Sequence, residues 1–344
     1  MSNTGPKKKI LIPILNRAHY GRLRSVLRAI QEHPALELQL IVGIPAAYDR
    51  FWYNLRHSQP HSWRRALPWY IRARLIGLWS FFRKDAVLQN DFLTSAIVQN
   101  GYSVAARLPL FLDGGMPATM AKSVGLGFGG MIDILHRLQP DIVFVNADRF
   151  EMMAVALAAS YLNIPIAHNE AGDVSGTLDE STRHAITKLA HLHFTSTPIS
   201  RQRVIQMGED PGNVFHVGSP AIDVIKTMPA NRGSSLPGFD LGRPYLLVLL
   251  HPVVTESPKA NDQMATNLAN VIRELNVPTI WLGSNIDAMS ARLGKVIRVL
   301  RADKPESLYL AKHLPPDQFY QVLAKAACAI GNSSSFIREG AYFG

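Results

Sequence analysis

The stretch KKKILIPILNRAHYGRLRSVLRAIQEHPALELQLIVG, residues 7–43, decides the fold. Ile10 to Leu15 reads as a buried strand, Leu23, Val26, Leu27 and Ile30 then fall at helical spacing, and Leu36 to Gly43 supplies a second strand. Short apolar runs alternating with helical periodicity build a parallel sheet, because each crossover helix must cover a face of it. The pattern continues through candidate strands Asp141 to Val145, Ile164 to His168, His193 to Ser196 and Val214 to Val217, with helices such as Glu151 to Leu162 between them. This predicts an α/β, Rossmann-like first domain over 1–228. Pro229 to Pro244, rich in Pro, Gly and Ser, interrupts the pattern and reads as an interdomain linker, 229–244. A second parallel-sheet domain follows over 245–344, with strands Tyr245 to Leu250, Thr279 to Leu282 and Cys328 to Ile330 and helices near Asp262 to Leu275 and Asp317 to Ala326. The chain stops at Gly344, shortly after a strand-loop-helix unit has begun, so this second domain is expected to be incomplete.

A length of 344 residues, with 47% hydrophobic and 18% charged residues, suffices for two such cores and argues against disorder. A single cysteine, Cys328, rules out an intramolecular disulfide or a multi-cysteine metal site and fits a cytoplasmic setting. The basic N-terminus precedes only a short apolar run that ends at Asn16-Arg17, so it is a first strand rather than a signal peptide. The net charge of +10 is concentrated between Arg50 and Lys84, which hold eight basic and no acidic residues. The rest of the chain is near neutral, and no nucleic-acid partner is expected.

In parallel α/β sheets ligands bind beyond the carboxyl ends of the strands, so the informative residues follow each apolar run. They are Asn16 to Tyr20, Asn146 to Arg149, His168 to Asp173, His251, and Gly331 to Ser335. Singly each has a structural reading: Asp148 could pair with Arg149 or cap a helix, Glu170 could be a turn acid, and His251 before Pro252 a core histidine. Together they gather acid, base and anion-binding groups at five strand ends. Thr177 and Glu180 form a capping box opening a helix, on which Asp179 and Arg183, four apart, share a face. That spacing gives either a simple ion pair or a carboxylate held toward a cleft. Gly331-Asn332-Ser333-Ser334-Ser335 precedes a helix, where free N–H groups and hydroxyls can face an anion. Neither a GxxxxGK[ST] loop nor a GxGxxG fingerprint is present, which removes support for ATP hydrolysis and nicotinamide chemistry, and no clustered His/Cys spacing suggests a metal. No cofactor is expected. Gly125 to Gly130, with four glycines, follows no predicted strand and reads as a bend.

These residues resemble the hydrolysing UDP-N-acetylglucosamine 2-epimerases, especially the branch that makes N-acetylmannosamine for sialic acid synthesis. Arg17-Ala-His-Tyr-Gly21 resembles the family RAEYG, Ala147-Asp-Arg-Phe-Glu151 its GDRxE, and Asp179-Glu-Ser-Thr-Arg-His-Ala-Ile-Thr-Lys188 its DExxRHAITK. Gly331 to Ser335 matches its GNSSS loop and His251-Pro252 its HP pair. The resemblance implies a GT-B architecture, two Rossmann-like domains closing on a nucleotide sugar. It also implies a mechanism: a base takes the C2 proton, UDP leaves C1, and water adds to the glycal. By the same resemblance Asp148, Glu170 and Asp179 are the carboxylates at the sugar, and Arg17 and His251 stabilise the diphosphate. Ser333 and Ser334, with Asn332 in their loop, bind phosphate, Glu339 holds the ribose, and Arg183 belongs to the substrate-binding set. The chain departs from the family at His19, where Glu is usual, at Ala147 and Ala171, where Gly is usual, and at Val253, where the sialic-acid branch has Glu.

The expected partners are a UDP-sugar substrate and a second copy of the chain. Two other classes share the cleft: a GT-B glycosyltransferase, and a nucleotide-sugar-binding protein without turnover. A basic insertion, 48–91, holds four tryptophans, and Ile71, Leu75, Leu78 and Phe82 lie at helical spacing among arginines. It reads either as a lid over the cleft or, through 52–84, as a helix lying on an anionic membrane surface.

Overall fold

The computed structural model describes residues 5–46, 92–112, 116–176, 178–228, 236–253, 255–283, 296–297, 299–300, 307–311 and 314–344. The insertion 48–91, Thr177 and the first half of the expected linker, 229–235, lie outside them.

The first half of the chain runs β1 (Lys8–Ile14), α1 (Arg17–Glu32), β2 (Leu36–Pro45), α2 (Phe92–Gln99), β3 (Val104–Phe111), α3 (Pro117–Leu138), β4 (Ile142–Asn146) and α4 (Phe150–Tyr161). It continues with β5 (Ile166–Asn169), α5 (Leu178–Leu189), β6 (Leu192–Thr195), α6 (Pro198–Gln206), β7 (Val214–His216) and α7 (Pro220–Lys226). Seven strands form one sheet in the order β3-β2-β1-β4-β5-β6-β7, with every pairing parallel. Alternation along β1 explains why its run is apolar throughout: successive side chains serve opposite faces, and both faces are covered. Ile10, Ile12 and Ile14 pack with Tyr20, Leu23 and Leu27 of α1 and Ile97 of α2. Leu11 and Leu15 pack with Met131 and Leu135 of α3 and Met152 and Val155 of α4.

The Gly125 to Gly130 segment is not a bend. It lies inside the 22-residue α3, which opens with Pro117 and closes at Gln139 in the left-handed conformation. Two of its glycines allow close packing: a Cβ at Gly127 would lie 3.2 Å from the Cβ of Ala154, and one at Gly130 2.8 Å from Cδ1 of Leu108. Strand β3, which supplies Leu108, was not among the expected strands. It is an edge strand whose outward positions are polar or small and which contains Pro109, tolerated where the sheet ends.

The second half comprises β8 (Leu246–Leu249), α8 (Pro258–Leu275), β9 (Thr279–Leu282), β10 (Leu308–Ala311), α9 (Pro316–Lys325), β11 (Cys328–Gly331), α10 (Ser334–Arg338) and α11 (Gly340–Phe343). Its described strands form a parallel sheet in the order β10-β9-β8-β11. Val248 and Trp281 face Ala265, Ala269 and Ile272 of α8, while Leu247, Leu249 and Ile280 face Val322 and Leu323 of α9. Leu236, midway along the proline- and glycine-rich stretch, is buried against this second core with Phe239 and Leu241. An apolar seam joins the halves: Val224 and Ile225 of α7 pack on Tyr320 of α9. Among the described residues no helix is long and apolar enough to cross a membrane.

The glycines of α3 give a direct test of the packing. Gly125 and Gly129 face open space, so alanine at either should stabilise by about 0.5–1 kcal/mol through helix propensity. Gly130→Ala should give no such gain, because Leu108 must move. Urea melts of the three variants check the ordering.

Candidate active site

Both sheets reverse their strand order beside one strand, and at such a point the flanking helices leave on opposite faces and open a crevice at the carboxyl ends. In the first sheet the reversal falls between β1 and β4, and in the second between β8 and β11. The polar segments therefore meet at both.

Strands β4 and β5 end in register, Asn146 opposite Asn169, and the next residue of each, Ala147 (φ 62°) and Glu170 (φ 60°), turns into the left-handed region. The side chain of Asn169 donates to that of Asn146 at 2.7 Å, and the Ala147 N–H donates to the Asn169 carbonyl at 3.0 Å. A left-handed turn explains why glycine is usual at position 147 in the resembling family. Beyond it Asp148 meets Arg183, whose guanidinium is fully buried and donates to the carboxylate. Asp148 thus neither caps α4, whose N-cap is Arg149, nor sits idle on the surface. Asp179 lies one turn before Arg183 in the first turn of α5, and Glu180 closes the preceding loop by accepting from Ser175 and Gly176 N–H groups.

Beside β1, Asn16 caps α1 through its side-chain oxygen and donates to the buried Glu151 at 2.9 Å. Glu151 also takes the Nε–H of Arg149 at 2.9 Å. His19 is buried 3.0 Å from the Asn16 amide. Burial first, then the charges of Arg149 and Arg22, lower its pKa to about 3, so the imidazole is neutral. Arg17 opens α1, and its side chain lies outside the described residues.

In the second half Asn332 clasps His251, accepting from its N–H at 2.8 Å and donating to its carbonyl at 2.9 Å. The amide expected to bind phosphate is thus engaged in tying the end of β11 to the segment after β8. Gly331, at φ 147°, packs its Cα against the Leu249 carbonyl, where any side chain would clash. Ser333 caps α10 and accepts from the Ser335 N–H.

Two arginines then cross between the halves. Arg22 of α1 donates to the buried Glu339 at 2.7 Å and reaches the hydroxyls of Ser335 at 3.2 Å and Ser334 at 3.5 Å. Arg338, the neighbour of Glu339, donates back to Glu170 and lies 3.3 Å from Asp173. Burial alone would raise the Glu170 pKa, but Arg338 and Arg22 outweigh it and the net shift is downward, which keeps a carboxylate. Burial raises that of Asp173 despite a 2.6 Å hydrogen bond from Ser200. Oε2 of Glu339 and Nε and Nη1 of Arg183 have no hydrogen-bond partner among the described residues, so the crevice retains binding capacity on both sides. No group of three or more His, Cys, Asp or Glu among the described residues could hold a metal ion.

The sequence model of the UDP-N-acetylglucosamine 2-epimerase family matches residues 89–344. The chain belongs to that family. Among curated relatives of the family, a UDP-N,N'-diacetylbacillosamine 2-epimerase (hydrolyzing) of Legionella pneumophila is 31% identical over 339 residues, covering 98% of this chain and 79% of the relative. The GDP/UDP-N,N'-diacetylbacillosamine 2-epimerase (hydrolyzing) of Campylobacter jejuni is 28% identical over 342 residues, covering 98% and 78%. Of family structures, the S. aureus MnaA-UDP co-structure superposes with a TM-score of 0.69 at 17% identity, covering 98% of this chain and 77% of that one. The UDP-GlcNAc 2-epimerase from Neisseria meningitidis bound to UDP-GlcNAc gives 0.69 at 15% identity, covering 95% and 78%. The expected GT-B arrangement of two parallel-sheet units is thus the observed one.

Within this frame the site unites Asp148 with Arg183, and Glu170 with the Ser334 to Glu339 segment. It adds Arg22 and Arg338, which sequence reasoning passed over, and joins by a hydrogen bond Asn16 and Glu151, named there only within a strand-end segment and a motif. The available signals were Arg22 in the first turns after an informative strand end and Arg338 beside Glu339.

Buried neutral histidines predict the acid response of the fold. His19 and His168, the latter lowered to about 4 chiefly by burial, hold fewer protons folded than unfolded below the ordinary histidine value of 6.5. Stability should therefore be full above pH 6.5 and fall as pH drops toward about 4. Glu170, lowered below 4.5, adds a further loss at more acid pH as its pair with Arg338 is protonated. Thermal melts from pH 7.5 downward should show this slope, and it should flatten between pH 6.5 and 4 in His168→Gln.

Proposed function

We propose that the chain is a hydrolysing 2-epimerase of a UDP-linked 2-acetamido sugar, with UDP-N-acetylglucosamine going to UDP and N-acetylmannosamine as the reference reaction. The observation that carries the reading is the crossing of Arg338 to Glu170 and of Arg22 to Glu339 and Ser334, beside an Asp148–Arg183 pair that feels the charge of both arginines. One carboxylate removes the C2 proton, the C–H electron pair forms the C1–C2 double bond, and the C1–O bond breaks toward UDP. Water then returns a hydroxyl to C1 and a proton to the opposite face of C2. C2–H is a weak acid, so the base must stay ionised, and the low pKa of Glu170 supports an anion at neutral pH. Asp148 and Asp179 complete the set around the sugar. The leaving diphosphate calls for cations and N–H donors, and Arg17, Arg22, Arg338, His251 and the Ser333-Ser334 loop are assigned to it, with Glu339 on the ribose. We divide the chain into domains at 1–228 and 245–344 joined by 229–244, and expect a cytoplasmic homodimer.

The names of the Legionella and Campylobacter relatives favour a second substrate, UDP-N,N'-diacetylbacillosamine, hydrolysed by the same steps. Product analysis with both sugars separates them. In D₂O the free sugar should carry deuterium at C2; a sugar transferred with C2–H intact would indicate a glycosyltransferase, and tight binding without turnover a sensor. Asp148→Asn, Glu170→Gln and Asp179→Asn should each lower kcat by at least about 100-fold while UDP still binds. Near-normal turnover in all three would remove the assignment.

A further inference from the structure

His168 is two residues before Glu170 on β5, has no exposed surface, and plays no part in the proposed chemistry. Its Nε2 lies 2.8 Å from the carbonyl oxygen of Ala147, which can only accept, so this nitrogen carries the proton. With Nε2 protonated Nδ1 accepts, so the Thr187 hydroxyl, 3.1 Å away, gives its single proton to Nδ1 rather than to the Arg183 carbonyl oxygen at 3.0 Å, and Thr187 is tied to Arg183 by the helix itself, one turn on in α5. Arg183 in turn donates to Asp148, the residue that follows Ala147. The contacts form a closed ring: Asp148 to Arg183 by charge, Arg183 to Thr187 by its backbone, Thr187 to His168, and His168 back to the peptide before Asp148.

We propose that His168 is a positioning residue for Asp148: it holds Ala147 in its left-handed turn and α5 at a fixed distance, so that the Asp148 carboxylate stays against Arg183. The geometry distinguishes this from ordinary core packing. An imidazole serving only the core would need a partner for each nitrogen, whereas this one bonds to the two segments that carry the two members of one ion pair. Ala147 is also the residue for which an anchor matters most, because an L residue at φ 62° is strained and relaxes if released. Burial lowers the His168 pKa to about 4, which keeps Nδ1 an acceptor at neutral pH and matches the assigned tautomer.

The inference rests on the functional reading for its kinetic arm only. Glutamine places an amide nitrogen near the position of Nε2 and can keep the bond to Ala147; asparagine is too short and loses it. In the full chain His168→Asn should lower kcat by roughly 10- to 100-fold, the scale of a carboxylate displaced by about 1 Å, with UDP affinity unchanged because the Ser333 loop is untouched. His168→Gln should recover most of that loss. Thr187→Val, which retains the Ala147 bond, should lower kcat by about 3- to 10-fold and should cost nothing further in the His168→Gln background. Equal kcat in wild type and His168→Asn, or no recovery with glutamine, would overturn the role. Crystal structures of wild type and His168→Asn provide the readout that turnover cannot. Ala147 leaving the left-handed region and Asp148 leaving Arg183 is the expected result, and an unchanged Asp148–Arg183 pair overturns the inference even if the wild type proves inactive. If His168→Asn does not fold, the same comparison is read from Thr187→Val, in which an unmoved Asp148 and unchanged kcat are the overturning result.

Discussion

The structure depends on two left-handed turns made side by side. Parallel strands β4 and β5 stop at the same level, and Ala147 and Glu170 must each redirect the chain within one residue. Neither is glycine, so each conformation costs about 1–2 kcal/mol and needs neighbours that prefer it. Those neighbours are hydrogen bonds between the strand ends themselves: Ala147 to Asn169, Asn169 to Asn146, and His168 to Ala147. The turns deliver Asp148 to Arg183 of α5 and Glu170 to Arg338 of α10.

Charge is concentrated here at a level that the fold alone would not favour. Glu151, Glu170 and Glu339 are buried, Arg183 is fully buried, and His19 lies among arginines without a proton of its own to spare. Buried pairs of this kind rarely add stability over apolar packing of the same shape. Their retention in a crevice where both sheets reverse order fits a site shaped for a charged ligand, and the unused hydrogen-bonding atoms of Glu339 and Arg183 point the same way.

Most of the architecture was legible because the central strands are buried on both faces and read as continuous apolar runs. Strand β3 was not, since an edge strand with Arg107 and Pro109 carries no such run. Helix α3 was hidden by its own glycines, which are needed where Ala154 and Leu108 approach its backbone and which locally imitate a bend. Strand ends led to Asp148 and Glu170, and the segment after β11 to Glu339, and the structure pairs each of the three with an arginine. Partnership was less legible: the recorded partner of Arg183 is Asp148, thirty-five positions away, whereas spacing along the helix suggested Asp179. Arg22 and Arg338 lie near informative positions, but what makes them notable, a carboxylate on the other half of the molecule, is not a local pattern.

The crossed arginines give the cleft between the halves the form of an ion exchanger. Each half contributes one cation and one anion, so Arg22 with Glu339 and Arg338 with Glu170 are reciprocal loans between the halves rather than a charge on one wall and its complement on the other. An anion entering between the halves would meet guanidinium groups that are already largely out of water and already have counter-ions. It enters by substitution, so its affinity reflects the difference between two anions rather than the full attraction of a bare positive pocket. On the proposed reading, a diphosphate that took Arg338 would set Glu170 free in the same event.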